Sequence, residues 1–150
     1  MSSNFEIIRN HLATTVPFAA HTGVELISVA DGEGEAILDQ VDTSINHVGS
    51  QHAGALFTLG ETASGAAMAG VFASSLFQIR PVAASANIVY EKIAKGTITA
   101  QAVAARPAEE LRARLDSEGK VAFDIAVTLF DSEQRIVAQM TVNWHISKLR

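Results

Sequence analysis

The stretch His52-Ala53-Gly54-Ala55-Leu56-Phe57-Thr58-Leu59-Gly60-Glu61-Thr62-Ala63-Ser64-Gly65-Ala66-Ala67-Met68-Ala69-Gly70-Val71-Phe72-Ala73 decides the fold. It reads as one long helix, yet it holds glycines at 54, 60, 65 and 70. In a helix interior each costs up to ~1 kcal/mol relative to alanine. An isolated helix would not tolerate that many. Small residues have a compensating use, because they let other backbone approach closely. The stretch therefore predicts a helix surrounded by sheet on several sides. A membrane span is the competing reading, since Ala53 to Phe77 carries one charge, Glu61, over 25 residues, and ~20 apolar residues suffice to span. Ala, Gly, Ser and Thr gain little on transfer into lipid, and a carboxylate is costly there. A helix buried inside a domain fits better.

The flanking sequence supplies the sheet. Upstream, Phe5, Ile8 and Leu12 fall on one face of a helix over Phe5 to Thr15, which Asn4 can cap and Pro17 ends. Val24 to Ala30 reads as a strand, Asp31-Gly32 as a turn and Gly34 to Val41 as the returning strand. Asp42 to Gln51 is polar and reads as a loop. Downstream of Arg80-Pro81 the apolar period switches to two. Val82, Ala84, Ala86, Ile88 and Tyr90 form one predicted strand face, Lys95-Gly96 a turn, and Thr97 to Ala105 the next strand. Val121 to Leu129 and Ile136 to Ile146 alternate strongly around a turn at Asp131-Ser132-Glu133-Gln134. Between them Pro107 to Ser117 reads as a short helical insert, with Leu111 and Leu115 on one face and Glu110 placed to pair with Arg114. Consecutive strands with short links favour antiparallel pairing, and helix on antiparallel sheet is α+β architecture. A free edge strand invites a dimer that continues the sheet.

With 150 residues, 48% of them apolar and 18% charged, the chain is read as one domain with a real core. The net charge of −5 and the absence of any long run among eleven Lys and Arg disfavour nucleic acid or an anionic membrane as partner. Without cysteine there is no disulfide frame, thiolate metal site or cysteine nucleophile. The start, Met1-Ser-Ser-Asn-Phe-Glu, has no basic segment leading into an apolar run, so a secretory leader is not expected and a cytoplasmic location is.

Chemistry gathers around the start of the long helix. Asn46 precedes Ala53 by seven residues and Glu61 follows it by eight. Backbone N–H groups at Ala53 and Gly54 lack partners within the helix and carry the positive end of its dipole, which suits a developing oxyanion. Glu61, two turns along, is placed to reach a carbonyl carbon or hold a water against it, and Asn46 to orient that water. The bland reading of Glu61 is a solvated or ion-paired helix residue. Burial without a partner would argue against it, because a lone buried carboxylate is costly.

The pattern Asn46-x-x-Gly49-x-x-His52-Ala53-Gly54-x-x-Phe57-x-Leu59-x-Glu61 resembles the signature of hotdog-fold acyl-CoA thioesterases of the phenylacetyl-CoA and 4-hydroxybenzoyl-CoA group. The resemblance runs over most of the chain. The insert and the ending Thr141-Val142-Asn143-Trp144 look more like that superfamily's domain-of-unknown-function branch. It implies a sheet wrapped around a central helix and a homodimer or homotetramer with its site across a subunit interface. Glu61 would be nucleophile or general base, Asn46 would orient water or substrate, and Ala53, with Gly54 beside it, would supply the oxyanion N–H. His52 would brace the loop or touch the substrate. Gly65 stands where some relatives carry a hydroxyl, so Ser64 or Thr62 would have to substitute. Ala53 replaces the family's first glycine and adds a Cβ where the thioester approaches. Coenzyme A enters only as part of the substrate, with no separate cofactor.

Other groups rank lower. The five histidines are scattered and give no metal-ligand set. Ser64 lacks the Gly-x-Ser-x-Gly frame of a serine hydrolase. Arg80, Lys92, Lys95 and Arg106 flank strands and could meet coenzyme A phosphates, with solvated charge as the plainer reading. Three functions thus stand: hydrolysis of an acyl-CoA thioester, binding of acyl-CoA or a related ligand without turnover, and a purely structural oligomerisation domain.

Overall fold

The computed structural model describes residues 3–150. Met1 and Ser2, the first residues of the stretch read for a leader, lie outside the described residues. In chain order the elements are α1 (Asn4–Thr15), α2 (Pro17–Thr22), β1 (Val24–Ala30), β2 (Glu33–Leu38), α3 (Ala53–Val71), β3 (Ile79–Tyr90), β4 (Ile98–Ala104), α4 (Ala108–Glu118), β5 (Lys120–Phe130) and β6 (Ile136–Lys148). The six strands form one antiparallel sheet in the order β1-β2-β4-β5-β6-β3. The expected sheet around a long helix is what the chain builds. Among the described residues no helix is long and apolar enough to cross a membrane.

The small residues of α3 serve close approach. A Cβ built on Gly34 of β2 would lie 2.5 Å from the Ala63 carbonyl oxygen and 2.7 Å from the Ala67 nitrogen, so strand and helix cross backbone to backbone. One built on Gly70 would collide with the Ala30 carbonyl of β1, and one on Gly60 would stand 2.6 Å from Met140 Sδ of β6. The strands answer with clean alternation: Val121, Phe123, Ile125, Val127 and Leu129 of β5 and Met140, Val142, Trp144 and Ile146 of β6 all point into the core.

Local details depart from the sequence reading, and β2, expected over Gly34 to Val41, runs over Glu33–Leu38. Ser3, not Asn4, caps α1, in a reciprocal box with Glu6. Pro17 ends α1 but also opens α2, where its missing N–H costs nothing, and Gly23 closes α2 at φ 94°. A bulge between Ala83 and Ser85 reverses the face of β3, so Val82 pairs with exposed His145 while Ala86 and Ile88 pair with buried Val142 and Met140. Glu110 binds Arg106 at 2.6 Å instead of Arg114, which reaches only Glu118 at 3.8 Å.

Candidate active site

The loop before α3 is held by its own side chains. Asn46 Oδ1 accepts from the backbone N–H of Val48 and of Ser50, both at 3.1 Å, and its amide donates to Ser50 Oγ at 3.0 Å. Asn46 is therefore occupied in shaping the loop. The buried Gln51 ties the loop to the sheet by donating to the Gly96 carbonyl at 3.0 Å. His52 is the N-cap of α3: its Nδ1 accepts from the Gly54 N–H at 2.8 Å, which puts the ring proton on Nε2. The Gly54 N–H is thus taken up by the cap. The Ala53 N–H, exposed at the helix start, has no acceptor among the described residues.

Tyr90, at the end of β3, donates its hydroxyl to the Ala53 carbonyl at 2.8 Å and so pins the first residue of α3 to the edge strand. Sequence reasoning counted Tyr90 only as a strand-face residue. The available signal was its place at the end of an alternating run, where a polar tip needs a partner. Tyr90, Lys92, Asn46 and Ala53 line one recess of 360 Å³.

Glu61 lies elsewhere. It lines a cavity of 570 Å³ bounded by α1 and α2 on one side, with Leu12, Val16 and Ala20, and by Thr62, Gly65 and Met68 of α3 on the other. Pro81 and Trp144 close it from the sheet. Nothing among the described residues donates a hydrogen bond to the Glu61 carboxylate or forms an ion pair with it. Burial pushes its pKa above the ordinary glutamate value of 4.5. A carboxylate both desolvated and unpartnered is the kind of group found where chemistry is done.

The two candidate hydroxyls part company. Thr62 faces the Glu61 cavity, its Oγ1 donating to the Thr58 carbonyl at 2.7 Å. Ser64 is fully buried: its Oγ donates to the Glu61 carbonyl at 2.7 Å and accepts from Trp144 Nε1 at 3.1 Å. Ser64 thus forms a core hydrogen bond that anchors Trp144. Within one chain, Glu61 and Ala53 thus open on separate hollows, about 12 Å apart along the helix axis at 1.5 Å per residue.

Of the four flanking cations, Lys92 alone joins a site residue, in the Ala53 recess. Arg106 is engaged by Glu110 and Arg80 lies on the outer face of the sheet.

A family model described as a domain of unknown function, DUF4442, matches residues 5–146. No curated protein matches. Among solved structures, a Pseudomonas aeruginosa protein of unknown function named "Probable Thioesterase" aligns with a TM-score of 0.82 at 24% identity, over 96% of this chain and 95% of that one. The Escherichia coli PaaI protein of the phenylacetic acid degradation operon aligns with a TM-score of 0.68 at 21% identity, over 93% and 96%. A hypothetical thioesterase from Streptococcus pneumoniae, solved with coenzyme A, aligns with a TM-score of 0.68 at 22% identity, over 89% and 95%. At these identities the likeness is one of fold, the hotdog fold. The chain belongs to the DUF4442 family, a domain of unknown function, and shares its fold with the thioesterase-named structures above.

Proposed function

We propose that this protein hydrolyses an acyl-CoA thioester as a homodimer or homotetramer, with Glu61 as the reacting carboxylate. The observation that carries the reading is Glu61 itself, desolvated and unpaired in the wall of a largely apolar 570 Å³ cavity. Supporting it are the thioesterase names of the similar structures and the coenzyme A held by one of them. The acyl group sits among Leu12, Val16, Met68 and Trp144. Glu61 either attacks the carbonyl carbon, giving an anhydride that water opens, or takes a proton from the water that attacks. In both routes the C–S bond breaks and the thiol leaves with a proton.

The oxyanion needs a donor that Glu61's own chain does not bring within reach, since Ala53 opens on a different hollow. We place that donor on a second copy: the Ala53 N–H of one chain serves the Glu61 cavity of the other. β3 is the edge that would accept the copy. It is the last strand of the sheet, and most of its residues are exposed on both faces, Val82 at 48% and Val89 at 56%. Asn46 and His52 act by holding the Ala53 turn in shape, and Thr62 contacts the acyl group. The working location is the cytoplasm.

Binding without turnover is the second reading. It is favoured by the helix start, where His52 occupies the Gly54 N–H and Ala53 adds a Cβ beside its own amide. A panel of acyl-CoA esters, followed by thiol release with wild type and Glu61→Gln, separates the two. Hydrolysis that the substitution lowers by ~10²–10⁴ supports the enzyme. Tight binding with no release in wild type supports the binder, and hydrolysis untouched by the substitution removes Glu61 from the reaction.

A further inference from the structure

The outer face of the sheet carries a second polar hollow. Strand register sets Lys120 of β5, Ser147 of β6 and Arg80 of β3 side by side, with Ala122, His145 and Val82 as the next row. Neighbouring strands lie ~4.8 Å apart, so the Lys120 and Arg80 backbones stand about 10 Å from each other. Arg114 and Glu118 of α4 close the end of this groove, whose volume is 570 Å³. It is distinct from the Glu61 cavity. Trp144 of β6 and Pro81 of β3 line that cavity, while their chain neighbours His145, Arg80 and Val82 line this groove on the opposite side of the sheet.

The groove reverses the charge of its surroundings. The chain carries −5 overall, yet three of its eleven Lys and Arg converge here. Arg80 and Lys120 enter no ion pair among the described residues. Glu118, the one acid in the lining, stands 3.8 Å from Arg114, beyond hydrogen-bond distance. The acid in the row beyond, Asp124, accepts from Asn143 at 2.8 Å. The polar lining is thus dominated by donors: two guanidinium forks, an ammonium, an imidazole and the Ser147 hydroxyl. Beside them lies a small apolar floor of Val82, Ala84 and Ala122. Guanidinium forks fit phosphate oxygens in pairs, and an apolar floor suits a flat ring.

We propose that this groove binds a phosphorylated nucleotide, its phosphate between Arg80, Lys120 and Arg114 and its base on Val82 and Ala122. The phosphate has two sources, a free nucleotide or the 3′-phosphoadenosine end of coenzyme A. The inference does not depend on hydrolysis at Glu61, and its readout is binding.

Calorimetric titration of wild type with adenosine 3′,5′-bisphosphate and with adenosine tests it. The bisphosphate binds at least about tenfold more tightly than adenosine, and added salt erodes the difference. Arg80→Gln and Lys120→Gln, both exposed substitutions, each weaken the bisphosphate by about tenfold. In wild type the amide shifts on titration centre on residues 80, 120, 145 and 147. Equal affinity for adenosine and bisphosphate, unchanged affinity in both variants, or shifts centred on Glu61 and Gly65 would each overturn the proposal. The KM for an acyl-CoA distinguishes the sources. If it rises in step with the lost bisphosphate affinity, the occupant is the coenzyme A end; if it stays fixed while that affinity falls, the occupant is a separate nucleotide.

Discussion

Two glycines of the same helix do opposite work. At Gly70 the backbone of β1 presses so closely that any Cβ would strike the Ala30 carbonyl, a rigid group. Five residues earlier, Gly65 borders the Glu61 cavity, and a Cβ there would meet only the Trp144 ring at an ordinary 3.7 Å. The first glycine lets the helix seat in the sheet. The second keeps space beside a carboxylate. One compositional signal, the run of small residues, therefore encodes both a backbone-to-backbone approach and a candidate reaction chamber.

Substitution breaks this comparison apart. The largest effect falls on chemistry: Glu61→Gln lowers thioester hydrolysis by ~10²–10⁴ while the fold persists, checked by thiol release and circular dichroism. Next come the packing glycines. Gly70→Ala and Gly34→Ala each destabilise by about 3 kcal/mol or more in urea unfolding, because the obstacle is backbone and the ~1 kcal/mol gain in helix propensity available at Gly70 does not offset it. Gly60→Ala costs less, since the Met140 side chain can swing aside. His52→Ala removes the helix cap and lowers stability by about 1 kcal/mol. Gly65→Ala stands at the far end. Stability is unchanged or rises by up to ~1 kcal/mol, while bulky acyl chains show a raised KM. If Gly65→Ala unfolds the protein as Gly70→Ala does, the two glycines do the same job and the contrast is gone.

Acidity sharpens the same contrast. Burial raises the Glu61 pKa, so the folded chain holds a proton at pH values where the unfolded chain has lost it. Stability attributable to this group therefore falls as pH rises from the unfolded glutamate value through the raised folded one, and the loss is complete above it. Glu61→Gln escapes the loss. Its thermal midpoint gains on wild type across that window and matches it below. Hydrolysis runs the other way, rising with pH as the carboxylate ionises, with its inflection above the usual glutamate range. A flat pH profile would detach the reaction from Glu61.

Much of the fold was legible because it rests on periodicity. Val24–Ala30 is a strand with the bounds its sequence implied, and the alternation of β5 and β6 named their buried faces. Pro17 was legible in part: read as a stop, it is also a start, and the C-capping Gly23 was the missed clue. The face of β3 was not legible, because a bulge at Ala84 adds one residue without altering the local pattern. At the site, sequence singled out Glu61, Asn46, His52, Ala53, Gly54, Thr62 and Ser64 as candidates.

Which of those groups remain free is a different kind of question. A residue's type and spacing settle its helix face and its capacity to donate or accept. They do not settle which partner arrives from a strand eighty residues away, as Trp144 does for Ser64. His52 took the Gly54 amide, Tyr90 took the Ala53 carbonyl, and nothing among the described residues took the Glu61 carboxylate. Sequence by itself determined the helix, the alternating strands and the acid that the helix carries. Only tertiary structure decided which donors are spent and which acid is left without a partner among the described residues, because hydrogen bonds between distant segments depend on how strands and helix meet in space.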